Sequence, residues 1–307
     1  MSHAAILFIA LLLDAVFGEP RWLWSRLPHP AVVMGRAVGW IDQKFNTPGH
    51  TRLKGVLAFG TLTLVAWIIG VAIAALPFGQ LFEVIIAAMV LAHRSLVDHV
   101  GAVANALRLS LPAARTEVGK IVGRDTSDMD NSAVARGAIE SAAENLSDGV
   151  VAPAFWFLLL GLPGLLVYKL INTADSMIGY KSPRHRDFGW AAARFDDLAN
   201  WIPARLTALL IATAHLRPDA WRIIRRDASL HRSPNAGWPE SAMAATLDVA
   251  LAGPRSYAGE QRDFPFVNET GRHDIAAAEI DAAAIALWRT WALMTATAAL
   301  VAMLTIA

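Results

Sequence analysis

RDTSDMDNSAVARGAIESAAENLSDGVVAPAFW, residues 124–156, opens with a dense run of acids and closes in an apolar stretch. Asp125, Asp128, Asp130, Glu140, Glu144 and Asp148 stand at the mouth of a hydrophobic segment that continues to residue 171. A soluble core has no use for such a cluster, and neither has a plain membrane anchor. Polarity of this density beside an apolar run reads as a site built where water meets lipid. The fold expected from it is all-α: a polytopic membrane protein with its polar groups gathered at helix ends.

Composition agrees. Of the 307 residues 55% are hydrophobic and only 17% charged, where soluble domains carry about 25% charged residues. Mean hydropathy is +0.41. A net charge of +1 supplies no basic field, so nucleic acid is not expected as a partner. The absence of cysteine excludes disulfides, thiolate catalysis and cysteine-ligated zinc. No HExxH pair, no GxxxxGKS/T, no GxGxxG after a strand and no GxSxG occurs, so any use of ATP proceeds without a P-loop. The N-terminus, MSHAAILFIALLLDAVFGEP, lacks a basic leader and an A-x-A cleavage site, and is read as a retained first helix.

Six apolar segments follow, at about 4–17, 55–76, 81–97, 150–171, 203–216 and 288–307. They predict four to six hydrophobic helices in a single domain covering 1–307, with helical loops on the cytoplasmic side. Two of them, 55–76 and 288–307, have the roughly 20 residues that a span needs. The segments 4–17 and 203–216 are short, suited to a tilted, interfacial or bundle-buried position. Segment 150–171 is interrupted by Gly161-Leu162-Pro163-Gly164, which predicts a broken or re-entrant helix. Lys and Arg number six in 18–54, five in 98–149, four in 172–202 and eight in 217–287. If all six segments cross, 172–202 lies outside and the other three basic loops lie in the cytoplasm. If 150–171 is re-entrant and 203–216 does not cross, every basic loop shares one face. Residues 132–146 predict an Ala-rich helix capped by Asp130, Asn131 or Ser132, and 217–240 a basic helix followed by a Pro/Gly-rich loop. No alternation of strand type persists, and there is no internal repeat.

Two constellations carry chemistry. On a helix Glu140, Glu144 and Asp148 fall at i, i+4 and i+8 and share a face; stacked acids repel unless cations or donors compensate them. That pattern suits Mg²⁺ or a substrate amide, although a solvated helix face would show it as well. The second lies in KLINTADSMIGYKSPRHRDFGWAAARFDDLANWIPAR, residues 169–205. Asn172 and Asp175 end the apolar run, Lys181, Arg184 and Arg186 form a basic group, and Asp196, Asp197 and Asn200 an acidic one. Cationic clamps beside adjacent acids make the composition of a phosphate-handling site that brings its own metal. A juxtamembrane positive cluster would explain the bases but not the acids. His29, between Pro28 and Pro30, reads as a structural loop residue, and 231–240 as a turn-rich loop with many donors, suited to a lid.

Taken in order, these blocks resemble the adenosylcobinamide-phosphate synthase family of cobalamin biosynthesis, known as CobD or CbiB. The similar stretches are LLLDAVFGEP and PHPAVVMGR, RDTSDMD through AIESAAENLSDGVVAPAFW, KLINTADSMIGYKSPRHRDFGWAAARFDDLANWIPARLTALL, and HRSPNAGWPESAMAATLDVALAGP. Glu19 stands where the family usually has Asp, His185 where an aromatic is common, and Ala245, Asp248 and Ala252 at usual glycines.

The resemblance implies a multi-pass inner-membrane enzyme facing the cytoplasm. It would join adenosylcobyric acid, a corrinoid, to (R)-1-aminopropan-2-ol O-phosphate or free aminopropanol, with ATP and Mg²⁺. On that implication Glu140, Glu144, Asp175 and Asp197 are the catalytic acids, and Asp148, Asp175 and Asp196 the metal ligands. Lys181, Arg184, Arg186 and Arg194 would hold phosphates, and Asn145, Asn172 and Asn200 corrinoid amides. Trp22, Trp24 and Trp238 would pack on the corrin face. The bilayer and other enzymes of the pathway are the expected partners. The competing expectation is a non-enzymatic corrinoid carrier or scaffold in the membrane.

Overall fold

The computed structural model describes residues 1–257 and 260–305. In chain order its helices are α1 (His3–Phe17), α2 (Arg21–Trp24), α3 (Pro30–Phe45), α4 (Thr51–Ala74), α5 (Gly79–Val90), α6 (His93–Leu109), α7 (Leu111–Val118) and α8 (Asn131–Leu146). A π-turn, Ser147–Val151, leads into α9 (Ala152–Ile178), followed by α10 (Trp190–Ala199), α11 (Trp201–Ala214), α12 (Ala220–Asp227) and α13 (Gly237–Leu247). Four short strands come next, β1 (Leu251–Ala252), β2 (Arg255–Tyr257), β3 (Glu260–Arg262) and β4 (Phe266–Val267), and α14 (Ala277–Leu304) closes the described chain.

Four helical stretches among the described residues are long and apolar enough to cross a membrane: Thr51–Ala74, Gly79–Leu109, Asn131–Ile178 and Ala277–Leu304. They contain the expected segments 81–97 and 150–171, 55–76 as far as residue 74, and 288–307 as far as residue 304; residues 306 and 307 lie outside the described residues. The shorter apolar helices α1 and α11 match the two segments expected to be too short. On α4, Leu57, Leu64, Val65, Ile68, Ile69 and Val71 are exposed, a face that only hydrocarbon would solvate well. The chain has the helix lengths of a multi-pass membrane protein.

The strands depart from the helical expectation. β1 pairs antiparallel with β4, and β2 with β3, in two separate ribbons. At two or three residues each they are too short for a period of two to show in sequence. The Pro/Gly-rich loop expected up to residue 240 is also shorter, because α13 already begins at Gly237.

The described chain packs as two compact units. Unit 1 comprises Met1–Ala92, Asp148–Trp201 and Thr297–Ala307, and unit 2 comprises His93–Ser147 and Ile202–Ala296. In unit 1, α3, α4, α5 and α10 pack on α9 around Val38, Ile41, Phe59, Leu170, Ile171, Ala174, Ile178 and Phe188. A Cβ on Gly70 of α4 would stand 2.5 Å from the Pro163 backbone, so the two helices touch main chain to main chain, as small residues permit in membranes. The break expected at 161–164 is present: Gly161 takes φ 65° inside α9, a conformation that favours glycine. One turn earlier the Leu158 carbonyl meets His3 Nδ1 at 3.3 Å, so a side chain of α1 takes up a backbone group near the break.

In unit 2, α6, α7 and α13 pack on α8, whose Val134, Ala135, Ala138, Ile139, Ala142, Ala143 and Leu146 are fully buried. Small side chains let neighbours approach this helix from most sides. Asp130 caps it, accepting the Ala133 N–H at 2.7 Å. In unit 1 His29 caps α3 through the Ala31 N–H at 3.1 Å and reaches the Met89 carbonyl at 3.0 Å, which is the structural role expected of it.

Gly70→Leu should drive a side chain into the Pro163 backbone. Overpacking of this kind costs about 1–3 kcal/mol, so a lowered melting temperature of the detergent-solubilised protein is expected.

Candidate functional site

Each unit carries a polar cluster of its own. In unit 1, Tyr168, Asn172 and Asp175 stand at i, i+4 and i+7 of α9 and so share a face, while Asp196 and Asn200 share a face of α10, which packs on α9. Asn200 Nδ2 donates to Asp196 Oδ2 at 3.1 Å, and the Asn172 amide also acts on Asp196. The Tyr168 hydroxyl lies 2.9 Å from Asn200 Oδ1 and 3.0 Å from the Asp148 carbonyl, so its one proton serves two acceptors. Asp196 Oδ1 is buried with no hydrogen-bond partner. Burial, with the negative charge of Asp175 beside it, pushes the Asp196 carboxyl up to about 7 despite the amides of Asn200 and Asn172. The sequence-predicted Asn172, Asp175, Asp196 and Asn200 are therefore brought together.

The remaining predicted residues of unit 1 are spread around this centre. Asp197 pairs with Arg194 at 3.6 Å along α10. Asp148 and Glu19 carry the negative charges that act on Lys169, a partly buried base that went unassigned from sequence. Arg184 is tied to Asp42 at 2.7 Å, and Lys181 and Arg186 are exposed on the same loop. Trp24 stacks edge-on against His29 and Trp22 is exposed. Among the described residues no three His, Asp or Glu side chains form a ready-made metal cage.

The single acidic stripe expected from Glu140, Glu144 and Asp148 does not persist. A π-turn at Ser147–Val151 widens the helix where Asp148 begins, so the i, i+4 register ends at Glu144. Asp148 belongs to unit 1, and Glu140 and Glu144 to unit 2.

There they line a cavity of about 210 Å³ together with Arg124, Ser141, His231, Arg232, Glu240 and Arg255. Glu140, 5% exposed, is fully engaged. Its Oε2 faces Arg124 Nη2 at 3.0 Å and Arg255 Nη2 at 3.3 Å, and its Oε1 accepts the Ala252 N–H at 2.7 Å. The catalytic acid expected at Glu140 thus lies inside this network. A carboxylate holding two guanidiniums and a backbone donor is a clamp. A Cβ on Gly137 would lie 2.8 Å from Arg124 Nη2, so that glycine leaves the guanidinium its path to Glu140 one turn on. Asn145 turns back on its own helix, donating to the Ser141 carbonyl at 2.9 Å. Trp238 is covered by Arg205, 4.5 Å from its ring centre.

Glu240, 2% exposed, sits opposite. Burial, reinforced by the charges of Glu140 and Glu144, pushes its carboxyl well above the usual carboxylate range. Burial, and next the Arg255 charge, lower the His231 imidazole. His231 Nδ1 accepts the Ser233 N–H at 3.0 Å, which leaves the Nε2 proton toward Glu240 Oε1 at 3.7 Å. Sequence reading passed over Arg124, His231, Arg232, Glu240 and Arg255 as site residues. The available signal was that Arg124 lies in the quoted stretch 124–156 and His231, Arg232 and Glu240 in 231–240.

The model of the CobD/Cbib protein family matches residues 7–287. The chain belongs to the CobD/CbiB family. Among curated relatives, "Cobalamin biosynthesis protein CobD" of Rhizobium meliloti (strain 1021) is 50% identical over 307 residues, covering 94% of each chain. The protein of the same name from Brucella suis biovar 1 (strain 1330) is also 50% identical, over 94% of each chain. That of Rhodobacter capsulatus is 47% identical over 88% of each chain. No solved structure matches. The matched span includes both polar clusters, so the CobD/CbiB family extends over the whole of each.

Two outcomes test the unit 2 cluster. Glu140→Ala strands two buried guanidiniums and should cost about 3–5 kcal/mol, seen as a large fall in the midpoint of thermal unfolding. Glu240 has a folded-state pKa raised above its unfolded value near 4.5, so its stabilising share is complete below that pH and is lost as pH rises through the folded value. Glu240→Gln should therefore gain melting temperature relative to the parent progressively above pH 4.5. A constant difference between the two proteins from pH 4.5 to 9 would contradict the protonated state.

Proposed function

We propose that the chain is an adenosylcobinamide-phosphate synthase, forming an amide between adenosylcobyric acid and (R)-1-aminopropan-2-ol O-phosphate, or free aminopropanol, with ATP and Mg²⁺. Membership of the CobD/CbiB family and the name carried by its relatives supply the pathway. The observation that carries the chemistry is the meeting of Asp175 and Asp196, with Asn172 and Asn200, at the polar end of an apolar helix.

The residues fit a magnesium ion of the phosphate-bound kind. Mg²⁺ keeps several waters and takes one or two carboxylates plus phosphate oxygens, not an all-protein cage. Asp175 and Asp196 provide the two carboxylates, and the buried Asp196 Oδ1 without a partner is an acceptor suited to a cation. Asp148, the third expected ligand, is assigned instead to Lys169. When bound, ATP with its metal would activate the substrate carboxylate for attack by the amine.

The chain's own residues have the remaining tasks. Lys181 and Arg186 attract phosphate oxygens from the exposed loop, and Arg184 stays anchored to Asp42. Asn172 and Asn200 orient Asp196 through their amides and offer hydrogen bonds to corrinoid amides. Asp197, oriented by Arg194, receives the proton that the amine loses. The site faces the cytoplasm across the inner membrane, where other enzymes of the pathway are its natural neighbours.

Detergent-purified protein given adenosylcobyric acid, aminopropanol phosphate, ATP and Mg²⁺ should yield a corrinoid heavier by the amide-linked aminopropanol phosphate, read by mass spectrometry. Asp175→Asn should fold and insert normally yet lose about 100-fold or more in turnover, the scale of one lost electrostatic contact. Tight corrinoid binding with no product under any condition would reject the ligase in favour of a carrier or scaffold.

A further inference from the structure

α10 is not among the apolar segments read from sequence, yet in unit 1 it packs on α4, a helix long and apolar enough to cross a membrane. The contact begins main chain to main chain, where a Cβ on Gly55 would run into the Phe188 carbonyl. One turn on, the Phe59 and Phe195 rings lie 5.7 Å apart. α10 therefore runs beside the first two turns of a spanning helix.

The two helices leave an open groove next to this contact. Arg52, Val56 and Gly60 stand at i, i+4 and i+8 of α4 and share a face, which borders Gly55 and Phe59. Val56 is exposed, and a Cβ on Gly60 would meet nothing within 4 Å. On α10, Trp190, Arg194 and Leu198 share a face in the same way, with Phe195 at its edge, and all four are exposed. Val56, Gly60, Phe195 and Leu198 thus make an apolar path along the groove.

At the N-terminal end of α4 the path meets cations. The Arg52 guanidinium lies 3.9 Å from the centre of the Trp190 ring. Stacking of this kind uses the face of the guanidinium and leaves its N–H edge for an acceptor. Lys54, by contrast, is engaged by the Thr47 hydroxyl at 2.9 Å and the Pro48 carbonyl at 3.2 Å. Arg194 adds a second guanidinium one turn beyond Trp190, shared with Asp197 at 3.6 Å. The Arg184 carbonyl accepts from Asn46 at 3.0 Å, which brings the loop after α9 to the loop before α4. Residues 40–54 and 180–190 together hold six Lys or Arg against two Asp, so this end of unit 1 is positive.

A soluble phosphate would satisfy Arg52 and leave the apolar path facing water. A neutral acyl chain would cover the path and ignore Arg52. A molecule with an anionic head and an apolar tail does both, and Trp beside Arg is at home at headgroup level. We propose that the groove between α4 and α10 binds an anionic phospholipid, its phosphate on Arg52 beside Trp190 and an acyl chain along Val56, Gly60, Phe195 and Leu198. Asp196 stands on the opposite side of α10, so the lipid braces the helix that carries this acid. The assignment holds whether or not the chain is a ligase.

The test is native mass spectrometry of the full-length protein, released from detergent with equimolar phosphatidylglycerol and phosphatidylcholine of the same tails. Phosphatidylglycerol should be retained at least about tenfold over phosphatidylcholine as collisional activation rises, the scale of a hydrogen bond to a charged group. Arg52→Gln should remove that preference. Gly60→Trp, which fills the path and leaves the cation in place, should lower retention of both lipids. Arg222→Gln, at an exposed cation of unit 2, should change nothing. An unchanged preference in Arg52→Gln would overturn the site, and an equal fall in Arg222→Gln would reduce it to diffuse surface charge. Displacement of the lipid by excess glycerol phosphate would overturn it in favour of a soluble phosphate. Loss of an oligomer in Arg52→Gln with lipid retention intact would make a second copy of the chain the occupant instead.

Discussion

A backbone or side-chain polar group that faces hydrocarbon costs several kcal/mol unless another protein group takes it, and this cost orders where the chain keeps its polarity. The described stretch of α4 that bears exposed Leu, Val and Ile residues presents almost nothing polar. Where α9 breaks at Gly161, His3 from α1 reaches the Leu158 carbonyl. Asp175 and Asn172 appear only near the C-terminal end of α9, where the Asn172 amide and the Asp175 charge both act on Asp196 of α10. The site is thus a consequence of ending an apolar helix against a polar one.

Unit 2 solves a different problem, which is how to keep several charges inside a packed protein region. Glu140 does so by accepting from two guanidiniums and one backbone N–H. Burial, and then the charges of Glu140 and Glu144, push the Glu240 carboxyl well above the usual carboxylate range. Arg124, Arg232 and Arg255 thus share one cavity wall with Glu140, Glu144 and Glu240. Gly137 belongs to this arrangement as space and not as flexibility.

Much was legible in the residues themselves. Helix lengths, the break at 161–164, the two segments too short to span, the Asp130 cap and the family all follow from periodicity, from punctuation by Gly and Pro, and from blocks of matching sequence. Asn172, Asp175, Asp196 and Asn200 could be singled out because acids and amides at the end of an apolar run have few other uses. What misled was the assumption of one unbroken helical register. Glu140, Glu144 and Asp148 fall on one line only if the helix stays α through residue 148, and the π-turn at Ser147–Val151 ends that line.

By itself, then, the sequence determined the helical membrane architecture, the membership of the CobD/CbiB family and the residue types available for chemistry, since these depend on composition and short-range pattern. Which residues become a site was decided by tertiary structure. Arg124, Glu140, Ala252 and Arg255 lie up to 131 positions apart, and no local spacing encodes their meeting. Whether Glu240 is charged, whether Asp196 keeps a free oxygen, and whether Glu140 acts as a base or a clamp all depend on desolvation and on which partners the packing delivers, and neither quantity exists until the chain has folded.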